Sequence, residues 1–139
     1  MAKRLEDLPL YSKVLEFWDA VFAMLNESRV RKNRRLFDQI DTANDSIESN
    51  VEEGFQQPSD AAFANFVVIA KGSLSEVISR TRQARRKELV EDRHLRRIEE
   101  LGEPLGKMMG GFIKYLQSSG FTDRGYHAVA PRPRRRRRK

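Results

Sequence analysis

An all-α fold, an up-down-up-down bundle of four helices, is what this sequence predicts, on three observations. Apolar residues recur at spacings of three and four along four separate segments. Short links carrying Gly, Pro, Ser or charge divide those segments, and short links favour antiparallel neighbours. No stretch alternates apolar and polar residues as a half-buried strand requires.

The first helix is expected from about Leu8 to Asn26, with Tyr11, Val14, Leu15, Trp18, Phe22 and Leu25 as its apolar face. The second runs from about Arg34 to Phe55 on Leu36, Ile40, Ala43, Ile47 and Val51. It meets a hard stop, because Gly54 suits a left-handed C-terminal cap and Pro58 cannot continue a helix. Ser59 then offers a hydroxyl to a new first turn, with Asp60 near the positive helix end. The third helix spans about Asp60 to Lys87 on Phe63, Phe66, Val67, Ala70, Leu74, Val77 and Thr81. Its Phe66–Ala70 turn is apolar all round, which implies either a second contact surface or deep burial under a loop. The fourth spans about Glu91 to Ser118 on Leu95, Ile98, Leu101, Leu105, Met108, Phe112 and Leu116. Gly102, Pro104, Gly106, Gly110 and Gly111 are poor helix formers, so a kink or break is expected near Gly102. Residues 1–119 thus form the bundle, and 120–139 are expected as a disordered arginine-rich tail.

A chain of 139 residues suits one domain with a sizeable core, and 34% charged residues suit heavily solvated outer faces. No apolar run approaches the length of a membrane span, and the start MAKRLEDLPLY lacks a signal-peptide core. With no cysteine, disulfides and cysteine metal sites are excluded, and a cytoplasmic location is the default expectation.

Charge is informative once located. Of 27 bases against 20 acids, seven stand in the last eight positions: Arg132, Arg134, Arg135, Arg136, Arg137, Arg138 and Lys139. The rest of the chain is formally neutral yet polarised. Arg29, Arg31, Lys32, Arg34 and Arg35 cluster without an intervening acid, and Arg80 to Arg97 holds eight bases and three acids. Between Asp38 and Asp60 there are seven acids and no base. Up-down topology would bring the two basic links to one end, forming a basic pole, and send the acids and the tail toward the other.

The tail's cations suit nucleic-acid phosphates, and arginine's planar fork also stacks on exposed bases, favouring single-stranded or looped RNA. The alternatives are a solubilising role, a return onto the acidic side of its own bundle, or an anionic membrane surface. At the pole, Arg82, Arg86, Arg96 and Arg97 are the candidate contacts, against the plainer reading of solvated helix ends. Catalysis finds little support. The Glu91/His94 pair is one Glu-x-x-His where a di-metal bundle needs two, and Gly102–Met108 lacks the spacing and Ser/Thr of a phosphate loop. No catalytic residue, metal, cofactor or small-molecule substrate is expected.

The segment Ser46, Ile47, Ser49, Asn50, Val51, Glu53, Gly54, Phe55 followed by Phe63, Phe66, Ile69, Ala70, Gly72, Ser73, Leu74, Glu76 resembles the signature of the four-helix bundle family named for the ribosomal-RNA intervening-sequence protein. Asp7-Leu8-Pro9-Leu10-Tyr11 resembles that family's start, and the likeness runs from about residue 5 to 117. Glu48 replaces the family's usual proline, and Asp41 and Thr42 its usual bases. The resemblance implies a homopentameric ring, in which Asn50, Gly54, Phe66 and Ser73 serve structure or interfaces. It also implies kinship with the accessory variability determinant of diversity-generating retroelements, which partners a reverse transcriptase and its RNA. The reading that results is an oligomeric, non-enzymatic RNA-binding accessory or scaffold protein. The alternative is an interaction ring whose partner is another protein, without direct nucleic-acid binding.

Overall fold

The computed structural model describes residues 4–121. After a 3₁₀ turn at Leu5–Asp7, the chain forms α1 (Pro9–Glu27), a 3₁₀ turn (Arg29–Lys32), α2 (Arg34–Phe55), α3 (Asp60–Arg86) and α4 (Asp92–Ser119). Among the described residues there is no strand. Pro9 opens α1 at a position whose missing N–H costs nothing. Asn33 caps α2, its Oδ1 accepting from the Leu36 amide at 3.1 Å. Ser59 caps α3 as its sequence position foretold, Oγ accepting from the Ala62 amide at 3.1 Å.

Each helix packs on its sequence neighbours, and α1 closes the ring of four against α4. The α1–α2 and α3–α4 turns lie at one end, the α2–α3 turn at the other. The chain leaves α4 through Gly120, in the left-handed region at φ 69°. The Asp60 amide then donates to the Phe121 carbonyl at 3.0 Å, and Ser119 Oγ donates to Asp60 Oδ2 at 2.7 Å. The described chain therefore ends beside the α2–α3 turn, at the far end from the two basic turns.

The core stripes of α2 and α3 follow the expected residues, with Phe66 half-buried, while those of α1 and α4 follow them in part, with Val14, Leu25, Ile98, Leu105 and Leu116 buried as expected. In α1, Phe17, Val21 and Met24 are fully buried while Phe22 is 49% exposed. In α4, Met109 is buried and Met108 exposed. Both helices carry two overlapping apolar stripes, and the buried one is that pointing between two neighbouring helices. Each such large side chain contributes about 1.5–3 kcal/mol on full burial.

Three further expectations are corrected. Helix α4 is continuous through Gly102 and Pro104. Pro104 and Glu100, whose carbonyl loses its donor, are both exposed, so water can take the missing bond. Gly102 serves packing instead: a β-carbon there would meet Ile78 Cδ1 at 2.7 Å, whereas one on Gly106 or Gly110 would stand at ordinary contact distance from Leu74 or Lys71 of α3, and one on Gly111 would meet nothing within 4 Å. Gly54 is no left-handed cap, since α2 continues through it to Phe55 and ends on Gln56 in right-handed geometry. Its role is close approach, as a β-carbon there would lie 2.6 Å from Phe63 Cδ1. Finally, α3 is long and apolar enough to cross a membrane by length and composition, with a mean hydropathy of 1.4 over 18 residues. Its Phe63, Val67, Ala70, Leu74 and Val77 face the other helices, and 39% of that 18-residue window is buried. Val68 and Ile69, by contrast, are 48% and 51% exposed, so the Phe66–Ala70 turn is not buried under a loop.

Candidate nucleic-acid interface

The end bearing the two basic turns is built by local capping. Ser28 accepts from the Val30 amide at 3.3 Å and starts the Arg29–Lys32 turn. Helix α3 stops in a Schellman arrangement: the Leu89 amide bonds the Ala84 carbonyl at 2.9 Å, and the Glu88 amide bonds that of Arg85 at 3.0 Å. This puts Glu88 at φ 62°, a left-handed position usually taken by glycine. Between the turns lies a cavity of about 490 Å³ lined by Glu27, Ser28, Arg29, Arg85, Glu88, Glu91, Asp92 and His94, among others. His94 forms part of its wall, 3.8 Å from Glu27 Oε1. Burial first, then the nearby Arg93 cation, holds its imidazole below the ordinary histidine range.

The expected meeting of the two turns is observed, but the pole is mixed rather than uniformly basic. Arg82 bonds Glu99 at 2.7 Å and reaches Glu103 at 3.6 Å. Arg97 lies 4.0 Å from Glu16 of α1. Arg85 pairs with Asp92, and that hydrogen bond holds the Asp92 carboxyl below its ordinary range. Arg93 bonds Glu91 at 2.8 Å. Arg86 and Arg96 are exposed with no hydrogen-bonded or ion-pair partner among the described residues. So two of the four expected pole arginines are held by carboxylates of other turns of the bundle, and two stand open to solvent.

Four cations outside that expected set complete this surface. Arg29, Lys32, Arg35 and Lys87 are exposed and likewise without a carboxylate partner among the described residues. The signal available was the acid-free run Arg29–Arg35, whereas Arg82 and Arg97 sit opposite acids on neighbouring helices. Arg34 differs, bonding Asp38 at 3.3 Å and lying over the Phe37 ring at 5.6 Å. The tail candidates Arg132, Arg134, Arg135, Arg136, Arg137, Arg138 and Lys139 lie outside the described residues.

The signature residues serve the α2–α3 seam. Ser73 Oγ donates to Ser46 Oγ at 2.8 Å across the two helices. Asn50 bonds within its own helix, its Nδ2 donating to the Ser46 carbonyl at 2.8 Å and Ser46 Oγ at 2.9 Å. Gly54 admits Phe63 and the Cβ of half-buried Phe66. These bonds fix the register of the seam rather than offering reactive groups.

On the opposite flank, α2 sets Asp38, Asp41, Asp45, Glu48 and Glu52 in one row at alternating spacings of three and four. Helix α1 lays aromatic side chains beside it. Tyr11 OH donates to Glu52 at 2.8 Å and to Glu48 at 3.3 Å, and Trp18 Nε1 donates to Asp45 at 3.0 Å. Trp18 stacks on Phe22 with ring centroids 5.1 Å apart. Burial, together with the neighbouring carboxylates, raises Asp41 and Glu48 above the ordinary carboxylate range and Tyr11 above its own.

Four antiparallel helices, with a polar seam between α2 and α3 and charge gathered at the turns, define a four-helix bundle. The sequence profile of the 23S rRNA-intervening sequence protein family matches residues 6–111. That match covers most of the chain, with α1, α2 and α3 whole and α4 as far as Gly111, and the protein belongs to this family. No curated protein matches the chain.

Proposed function

We propose that this protein is a non-enzymatic, oligomeric nucleic-acid-binding accessory or scaffold protein, with RNA as the favoured ligand. One observation carries the reading: Arg29, Lys32, Arg35, Arg86, Lys87 and Arg96 are exposed around one end of the bundle without a carboxylate partner among the described residues. Desolvating an already neutralised cation would cost more than it returns, so partnerless cations are those available to phosphate. The seven tail cations would add a second contact, and the family's own description names a ribosomal-RNA sequence. Exposed Val68 and Ile69 support self-assembly, for which the motif resemblance suggests a ring of five, and they equally suit a protein partner.

The test is the salt dependence of binding to single-stranded RNA by fluorescence anisotropy. Six phosphate contacts from the bundle end give a log–log slope of about −4, a loss of roughly 300-fold between 50 and 200 mM salt. Replacing those six residues with glutamine should remove that share, and replacing the tail cations should remove a separate share. Absence of RNA binding by the intact chain at 50 mM salt, or binding unchanged with both sets neutralised, overturns the reading.

A further inference from the structure

The α1–α2 flank is an unpartnered face of unusual make-up. Phe22 is 49% exposed and stacked on Trp18, and the acid row runs beside this aromatic ridge. Asp38 is ion-paired with Arg34, but Asp41, Asp45, Glu48 and Glu52 have no cationic partner among the described residues. Asp45 is exposed and Asp41, Glu48 and Glu52 are half-buried, and carboxylates next to flat aromatic rings match a guanidinium, which forks to the one and stacks on the other. A run of guanidiniums is what this face lacks.

We propose that this flank is the docking surface for the chain's own C-terminal segment, residues 131–139. The charges are complementary, since the segment holds seven cations and no acid. The reach is sufficient. The described chain ends at Phe121, fastened to Asp60 beside the α2–α3 turn and therefore at the Glu52 end of the row. Ten further residues to Pro131 span at most about 35 Å. The row from Glu52 back to Asp38 is about 21 Å long at 1.5 Å per residue, and nine residues can cover it. Burial first, and then the neighbouring carboxylates, raise Asp41 and Glu48, and a cationic occupant would relieve the second of these causes. The consequence is regulatory: cations held on the flank are withheld from other polyanions until one competes for them. The docking itself needs no nucleic acid, so it stands or falls separately from the proposed function.

Trp18 is the chain's single tryptophan and sits on the docking face, so its fluorescence reports occupancy directly. The experiment measures quenching of the intact chain by neutral acrylamide, without nucleic acid. At 20 mM salt the wild-type protein should be quenched about twofold less than a variant with all seven tail cations changed to glutamine, and the difference should vanish near 500 mM as the charges are screened. Asp41→Asn/Glu48→Gln/Glu52→Gln, which leaves Asp45 holding Trp18, should match the tail variant at low salt. If that triple variant loses helicity by circular dichroism, the tail variant alone decides. Equal quenching of wild type and tail variant at 20 mM overturns the proposal, as does protection that survives in a well-folded triple variant. Protection lost on dilution would place the segment on a neighbouring copy and overturn docking on its own chain.

Discussion

Gly54 and Phe63 are in contact so close that any side chain on the first would enter the ring of the second. A β-carbon at Gly54 would stand 2.6 Å from Phe63 Cδ1 and 2.9 Å from Phe66 Cβ. Phe63 is wholly buried and edge-on to both Phe55 and Phe112, so it has little room to yield.

Gly54→Ala should therefore destabilise the bundle by about 1–3 kcal/mol through overpacking. This runs against alanine's helix preference, which favours the change by about 1 kcal/mol. The urea midpoint should fall. A midpoint that rises would mean that the seam relaxes freely and that Gly54 is a helix-weakening residue with no packing role.

Glu88→Gly should act in the opposite direction. Glu88 occupies the left-handed position of the α3 terminus and places an anion at the negative helix end. Relief of backbone strain outweighs the added freedom of the unfolded chain, for a gain of about 0.5–1 kcal/mol. Thermal unfolding should shift upward by about 2–5 °C. A fall in the melting temperature would refute the strain.

Glu48→Gln should stabilise the protein at neutral pH. The folded-state pKa of Glu48 is raised, chiefly by burial and by Glu52, so its charge opposes folding at pH 7. Stability should be gained as pH falls through that raised value, and the gain is complete once pH is below the ordinary glutamate range. The variant, which cannot ionise, should exceed wild type at pH 7 and converge with it near pH 4. Equal urea midpoints at pH 7 would sink this account of the acid row.

Much of this architecture is legible in the sequence because α2 and α3 each carry one dominant apolar stripe and strong end signals. Pro58, Ser59 and Asp60 mark their turn without help from tertiary contacts. α1 is harder, since Trp18 and Phe22 share the helical spacing with Phe17, Val21 and Met24. Only the positions of α2 and α4 decide which stripe is covered. The glycines of α4 read as helix breakers because propensity is local, while the use of Gly102, admitting Ile78, belongs to another helix. The pole arginines divide into paired Arg82 and Arg97 and open Arg86 and Arg96 for the same reason. Glu99 and Glu103 stand a full turn or more along α4 from the α3–α4 turn, and Glu16 stands on α1, so a linear count of charge at the turns omits them.

The junction of Asp60 with Ser119 and Phe121 has a mechanical meaning. Its two bonds tie the first residue of α3 to the last described turn of the chain. A load applied to residues beyond Phe121, by whatever they grip, enters the bundle at two helices together rather than at the loose end of one. Peeling α4 from its terminus then requires the clasp to open first.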